Sequence, residues 1–230
     1  MLCVEETIGV MDVVDAAAIP GQRGALLLDS ALRYARERRW DVFPGTWLEP
    51  AGSGERCSCG LPDCAAPGAH AAGSDWAALA TGSAVSVRAM WTERPHASVL
   101  LPTGRAFDAL EVPETAGFLA LARMERLKVT LGPVIRTPGR RMLFFVLPGA
   151  ASDVDRLVRE LGWTPSGMDL VVRGEGQYVA APPTRVGGAA VQWAREPMPA
   201  DRWLPDVAEL IGPLAYACGQ EGSSERARRT

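Results

Sequence analysis

Three thiols and an imidazole fall within fourteen residues in CSCGLPDCAAPGAH, spaced Cys57-x-Cys59-x4-Cys64-x5-His70. Soft thiolates and a neutral imidazole are the donors tetrahedral zinc prefers. A complete set of four leaves no coordination position for water, so the pattern predicts a structural zinc and not a hydrolytic one. The alternative reading is a reduced, exposed Cys-rich loop, or a partial set with one donor missing, because Cys-x-Cys is less usual than Cys-x2-Cys. Cys3 and Cys218 lie outside the cluster and read as bystanders.

A second group of candidates is acidic. FDALEVPETAG, residues 107–117, sets Asp108, Glu111 and Glu114 between an apolar run and a helix start. Carboxylates of this kind can hold paired divalent cations, about 3.5–4 Å apart, for phosphoryl chemistry. Strand geometry argues against it here: side chains alternate faces, so a metal pair needs positions i and i+2. The i+2 partner of Glu111 is Pro113 and that of Asp108 is Leu110. Asp108 and Glu111, three apart, point to opposite faces of a regular strand. Glu111 and Glu114 are explained equally well by the positive end of a helix, which favours negative charge by ~0.3–1 kcal/mol.

Arginines complete the inventory. Arg136, Arg140 and Arg141 flank the turn Pro138-Gly139, and Arg173 precedes Gly174 and Gly176. All four can hold phosphate oxygens or can simply be solvated surface. His96 is the only histidine outside the cysteine cluster and reads as a solvated loop residue. Trp76, Trp91, Trp163 and Trp193 read as packing residues and not as base-stacking platforms.

The elements that must carry these groups follow from periodicity. At 230 residues and 47% hydrophobic, the chain can bury one core. Its net charge of -3 exerts no global pull toward nucleic acid or acidic lipid. No run approaches the ~18 apolar residues of a membrane span. The start MLCVEET is acidic where a secretory signal is basic. We therefore expect a cytoplasmic protein with no membrane partner.

Residues 1–24 read as an extension broken at IPGQRG. ALLLDSALRYARERR has helix periodicity, and WDVFPG is a short strand stopped at Pro44. From about 45 to 82 the chain is rich in Gly, Ala, Pro and Ser with no period, a length of loop that metal ligation would order. SAVSVRAMWTERP is a helix capped at Thr81 or Ser83. ASVLLPTG and AFDALEV are strands. PETAGFLALARMERLK is a helix with proline at its first turn. GPVIRTP and RMLFFVLPG are strands, DVDRLVRELGW a helix, and MDLVVRG, GQYVAAPP and AAVQWA strands. PDVAELIGPLAYA is a last helix, kinked or divided at Gly212-Pro213, before a polar tail, 219–230, expected to be disordered. The resulting fold class is α+β (mixed α/β): one domain over 25–218, with a central sheet flanked by helices and a zinc-clipped loop.

Taken in order, these segments resemble the bifunctional DNA primase/polymerase N-terminal domain, the prim-pol branch of the archaeo-eukaryotic primase superfamily. ALRYARERRWDVFPG resembles its first helix and strand, and CSCGLPDCAAPGAH its cysteine cluster. DW, AT, MWTERP and the Thr-Gly of LLPTG follow in the family's order. FDALEVPETAG lies where the family has a strand ending Asp-x-Asp. TPGRRMLFF lies at its Gly-Gly-x-His-x-Tyr/Phe strand, and DLVVRGEGQYVAAPPT at its Asp-x-Arg-Gly-x-Gly-Gly-Tyr-Val-x-x-Pro-Pro-Ser segment. The resemblance spans about residues 25–195.

It implies template-directed nucleotidyl transfer, with carboxylates on two divalent cations and a histidine near the incoming triphosphate. In the alignment it suggests, Glu111 stands for the first aspartate, Pro113 for the second, Met142 for the histidine and Asp169 for a third carboxylate. The expectation is a degenerate centre in a module that binds single-stranded DNA, nucleotides or a protein partner. One alternative is an active enzyme with Mg2+ or Mn2+ on Asp108, Glu111 or Asp169. Another is a zinc-stabilised adaptor whose partner binds the arginine-rich turn or the tail.

Overall fold

The structure, a computed structural model, describes residues 20–198 and 203–229. Residues 1–19 of the expected extension lie outside the described residues, and Pro20–Gly24 form the start of the first helix. That helix, α1 (Pro20–Arg38), buries Leu27, Ala31, Leu32, Tyr34 and Ala35 and ends with Arg36 and Arg38 at its negative pole.

It leads to β1 (Phe43–Pro44), the hairpin β2 (Leu48–Ala51) and β3 (Gly54–Cys57), the single turn α2 (Trp76–Leu79), and α3 (Ala84–Glu93). The Ser83 hydroxyl caps α3 by accepting from Ser86 N. Then come β4 (Val99–Pro102), β5 (Asp108–Pro113), α4 (Glu114–Arg126), β6 (Val134–Thr137), β7 (Arg141–Val146) and α5 (Ala150–Glu160). The chain finishes with β8 (Val171–Arg173), β9 (Tyr178–Ala180), β10 (Arg185–Val186), β11 (Ala189–Ala190), β12 (Gln192–Arg195) and α6 (Val207–Arg229).

The central sheet has five antiparallel strands in the order β12-β6-β7-β5-β8. Strand alternation divides its residues between two cores. Leu110, Val112, Met142, Phe144 and Val146 pack with buried residues of α4, α5 and α6. Ala109, Ile135, Leu143 and Phe145 face the other way, toward α1, α3 and β4. On that second side Phe107 stacks on Phe145 with ring centroids 4.2 Å apart, and Trp40 closes on both. A smaller sheet, β1-β4-β9, borders this core. The architecture is the mixed α+β domain expected, a sheet between helical layers.

Two segments differ from the sequence expectation. The loop 45–82 contains the β2–β3 hairpin and α2. The hairpin has no sequence signature because its strands, LEPA and GERC, fully bury only Cys57 and carry no apolar alternation. The backbone of α6 runs through Pro213 and on through 219–229. Gly219 permits this: a Cβ there would lie 2.3 Å from the Trp163 ring, so the ring docks against bare helix backbone.

The Thr-Gly link between β4 and β5 also has a steric cause. Gly104 has φ +84, and a Cβ on it would meet Glu175 Cα at 2.3 Å. Only glycine lets this turn approach the segment after β8.

Candidate functional site

The cysteine–histidine loop is tied down at both ends. Thr46 N donates to His70 O at 2.8 Å, His70 N donates to Thr46 Oγ1 at 3.2 Å, and Ala71 N donates to the Tyr178 hydroxyl at 3.1 Å. Trp76 stacks on Phe43 at 4.9 Å and meets Tyr178 edge-on at 5.1 Å. These ties bring Cys57, Cys59, Cys64 and His70 together, with one donor atom from each lying within 4.8 Å of all the others. His70 Nδ1 lies 2.8 Å from Ala71 O, and Nε2 lies 3.4 Å from Cys57 Sγ. A proton on Nδ1 bonded to a carbonyl leaves the Nε2 lone pair free for a metal, the usual arrangement of a ligating histidine.

The thiols differ. Burial pushes the buried Cys57 thiol up, but backbone N–H groups of Cys59 and Gly68 and the Thr46 hydroxyl outweigh it and bring it down to about 6. Burial pushes Cys64 up, and the adjoining Cys57 and Cys59 sulfurs take it to about 11. All four predicted ligands are thus assembled, and the donor set fits a tetrahedral cation such as zinc.

The predicted carboxylates do not form one group. Asp108 is 1% exposed and turns toward the α5 side of the sheet. Its Oδ2 accepts from Gly149 N at 2.9 Å and Ala150 N at 2.8 Å, and its Oδ1 has no protein partner. Gly149, at φ 99, has no side chain with which to cap α5, so Asp108 supplies the cap from the start of β5. Replacing Asp108 with alanine should lower stability by about 1–3 kcal/mol, read as a shift in the urea midpoint with an unchanged slope. A variant as stable as the parent would remove this role.

Glu111 lies on the opposite face, as period-two geometry requires, and meets two arginines there. Its Oε1 accepts from Arg141 Nε at 3.0 Å and its Oε2 from Arg173 Nε at 2.7 Å. Arg141 also forks onto Asp169, at 2.6 and 2.8 Å. Asp169 and Arg173 flank Val171, which pairs with Glu111 across β5 and β8, so all four side chains meet at one end of the sheet. Donating to Asp169 holds the Arg141 guanidinium charged above its ordinary range, against partial burial. The result is a closed lattice of two acids and two arginines in which both Glu111 oxygens are occupied.

A two-metal centre needs free carboxylate oxygens on one face. Here Pro113 stands where the second would be, and its cross-strand neighbour is Arg141. Met142 is not at this face: it pairs with Val112 and is fully buried, with Gly117 of α4 so close that a Cβ would lie 2.6 Å from its Sδ. The β7 residue paired with Glu111 is Leu143; Arg141, on the same face and opposite Pro113, is the one whose side chain reaches Glu111, while Met142 lies on the other face. In RMLFFV, Met142, Phe144 and Val146 share one phase, and Arg141 falls on the other with Leu143 and Phe145, both of them buried.

Arg136 and Arg140 gather instead on Glu114 at the β6–β7 turn. Arg140 is 79% exposed and Arg136 47%. All four arginines singled out in the sequence thus have acidic partners. His96 is exposed, and Trp91 is buried with its indole N–H donating to Ala97 O at 3.0 Å.

A family model described as bifunctional DNA primase/polymerase, N-terminal, matches residues 31–206. No curated protein matches the chain. Among the described residues, no helix is long and apolar enough to cross a membrane.

Proposed function

The chain belongs to the family of bifunctional DNA primase/polymerase N-terminal domains, and from that premise we propose a domain that has given up nucleotidyl transfer and binds single-stranded DNA through its phosphates. The observation that carries this reading is the position of Arg141, with its guanidinium between Glu111 and Asp169 and on both carboxylates. A fixed cation there takes the place and the charge-balancing role of a divalent ion without its open coordination sites. Mg2+ or Mn2+ would have to displace paired guanidiniums to reach the same oxygens, and Pro113 offers no second ligand.

The arginines of the β6–β7 turn support a binding role. Arg136 and Arg140 share one acid, Glu114, so the turn carries an excess positive charge with exposed donors. Phosphate oxygens are the natural third party for such groups. The Cys57, Cys59, Cys64 and His70 set holds a structural zinc in this reading, and its free thiols fit a reducing, cytoplasmic setting.

Primer synthesis and extension with labelled nucleotides and Mn2+ should give no product above background from the parent protein or from a Glu111→Ala/Asp169→Ala variant. Product from the parent that the double variant abolishes would establish an active enzyme. Single-stranded DNA should bind with a steep salt dependence, and an Arg136→Gln/Arg140→Gln variant should lower the slope of log K against log salt by roughly 1–2. A slope that does not change moves the DNA contact elsewhere.

A further inference from the structure

The backbone around His70 is held from two distant parts of the chain. Thr46 makes three hydrogen bonds to it: its N–H and its hydroxyl donate to His70 O at 2.8 and 3.1 Å, and the hydroxyl oxygen accepts from His70 N at 3.2 Å. Thr46 is buried, so these bonds are shielded from water. Valine would fill the same space but would take the acceptor away from His70 N. On the next residue, Ala71 N donates to the Tyr178 hydroxyl at 3.1 Å, and Ala71 O lies 2.8 Å from His70 Nδ1.

Both hydroxyls stand on a fixed frame. Gly45 N donates to Ser98 O at 3.0 Å and Ser98 N to Thr46 O at 3.4 Å, which binds residues 45–46 to the segment entering β4. A Cβ on Gly45 would lie 2.5 Å from Leu100 Cδ1, so the approach is close. Tyr178 belongs to β9, which pairs with β4, and its ring meets Phe43 and Trp76 edge-on at 5.4 and 5.1 Å. The frame matters because an imidazole turns freely about its side-chain bonds unless its backbone and its second nitrogen are held. With Nδ1 on Ala71 O, the ring presents Nε2 to the sulfurs, 3.4 Å from Cys57 Sγ. That is close to the roughly 3.5 Å that separates thiolate and imidazole donors on a tetrahedral zinc.

We propose that Thr46 and Tyr178 are positioning residues of the metal centre, whose hydroxyls hold the backbone on either side of His70 and so aim its Nε2 at zinc. This rests on the reading of the Cys57, Cys59, Cys64 and His70 set as a structural zinc site. Neither residue touches the ion in this arrangement; each acts through His70. The metal centre is thereby tied to β9 and to the segment entering β4, and not only to the loop that carries its donors.

The test is the zinc affinity of the reduced full chain, measured by competition with a chromophoric chelator. It should fall about 10–100-fold in Thr46→Val and several-fold in Tyr178→Phe, while Thr46→Ser, which keeps the hydroxyl, should stay within about threefold of the parent. Tyr178→Phe retains the ring that meets Phe43 and Trp76 and deletes only the hydroxyl, so folding is spared. In a His70→Ala background, Thr46→Val should cost no further affinity, because the hydroxyl acts through the imidazole. A full loss that persists in that background, or that Thr46→Ser shares, would mark a packing effect on the loop and overturn the proposal. Unchanged affinity in Thr46→Val or in Tyr178→Phe overturns it as well. Each of these outcomes leaves the zinc reading standing, whereas a parent chain that binds no zinc removes that reading and this inference together.

Discussion

Replacing Cys64 with serine should reduce bound zinc from about one ion per chain to near none, and should leave the 45–82 loop open to proteases that spare the parent. The size of the effect follows from what holds the loop in place. Cys57 is the only fully buried residue of its hairpin strands, and α2 buries no residue, so little apolar area is available to order it. Fixing backbone costs roughly 1–2 kcal/mol per residue, and the few ties from Thr46, Tyr178 and Trp76 cannot cover a segment of this length. Structural zinc contributes on the order of 10 kcal/mol in small sites and can. It also answers the conflict among the thiols, because a cation is what allows Cys64, pushed up to about 11 beside two other sulfurs, to ionise at neutral pH. Metal content by elemental analysis, together with limited proteolysis, checks the prediction. Unchanged zinc in Cys64→Ser, or a metal-free parent with the loop equally resistant, would sink it.

Arg141→Ala should destabilise the domain by about 2 kcal/mol and should not restore polymerisation. The substitution removes bonds of 3.0 Å to Glu111 and of 2.6 and 2.8 Å to Asp169. These losses are unequal. Asp169 is 60% exposed and recovers most of its loss from water, so its share is small. Glu111 is 12% exposed and keeps only Arg173, so an under-compensated carboxylate remains at the sheet end. Arg141→Lys should recover less than half of the loss, since an ammonium cannot fork onto two carboxylates. Denaturant midpoints measure both variants. A change below about 0.5 kcal/mol for Arg141→Ala would mean that the lattice contributes nothing, and Mn2+-dependent extension by that variant would mean the centre is masked and not lost.

Much of the site could be read from the chain because its spacing is local. The cysteine–histidine set is contiguous, so its donors can meet whatever the fold around them. The separation of Asp108 from Glu111 follows from the two-residue period of a strand, and β5 obeys it. The missing second carboxylate is visible as Pro113. The Ser83 cap and the proline start of α4 were equally plain, since caps act within one turn of the backbone they serve.

The partners of those residues were not legible. Glu111 meets Arg141 from 30 residues away and Arg173 from 62, and Asp108 caps a helix that begins about 40 residues later. Nothing in FDALEVPETAG names these neighbours. Met142, which the resemblance sets in the histidine's place, is buried on the face of the sheet opposite to Glu111, and both phases of RMLFFV are apolar enough that only the layers packed on β7 decide which side each one meets. By itself the sequence determined the long helices and most of the strands, the metal-type donor set and the absence of a carboxylate two residues after Glu111, since backbone geometry dictates all of these at short range. Only the tertiary structure decided that two arginines occupy the oxygens of Glu111 and that Asp108 serves as a helix cap, because the order of strands in the sheet is set by burial of apolar faces between distant segments.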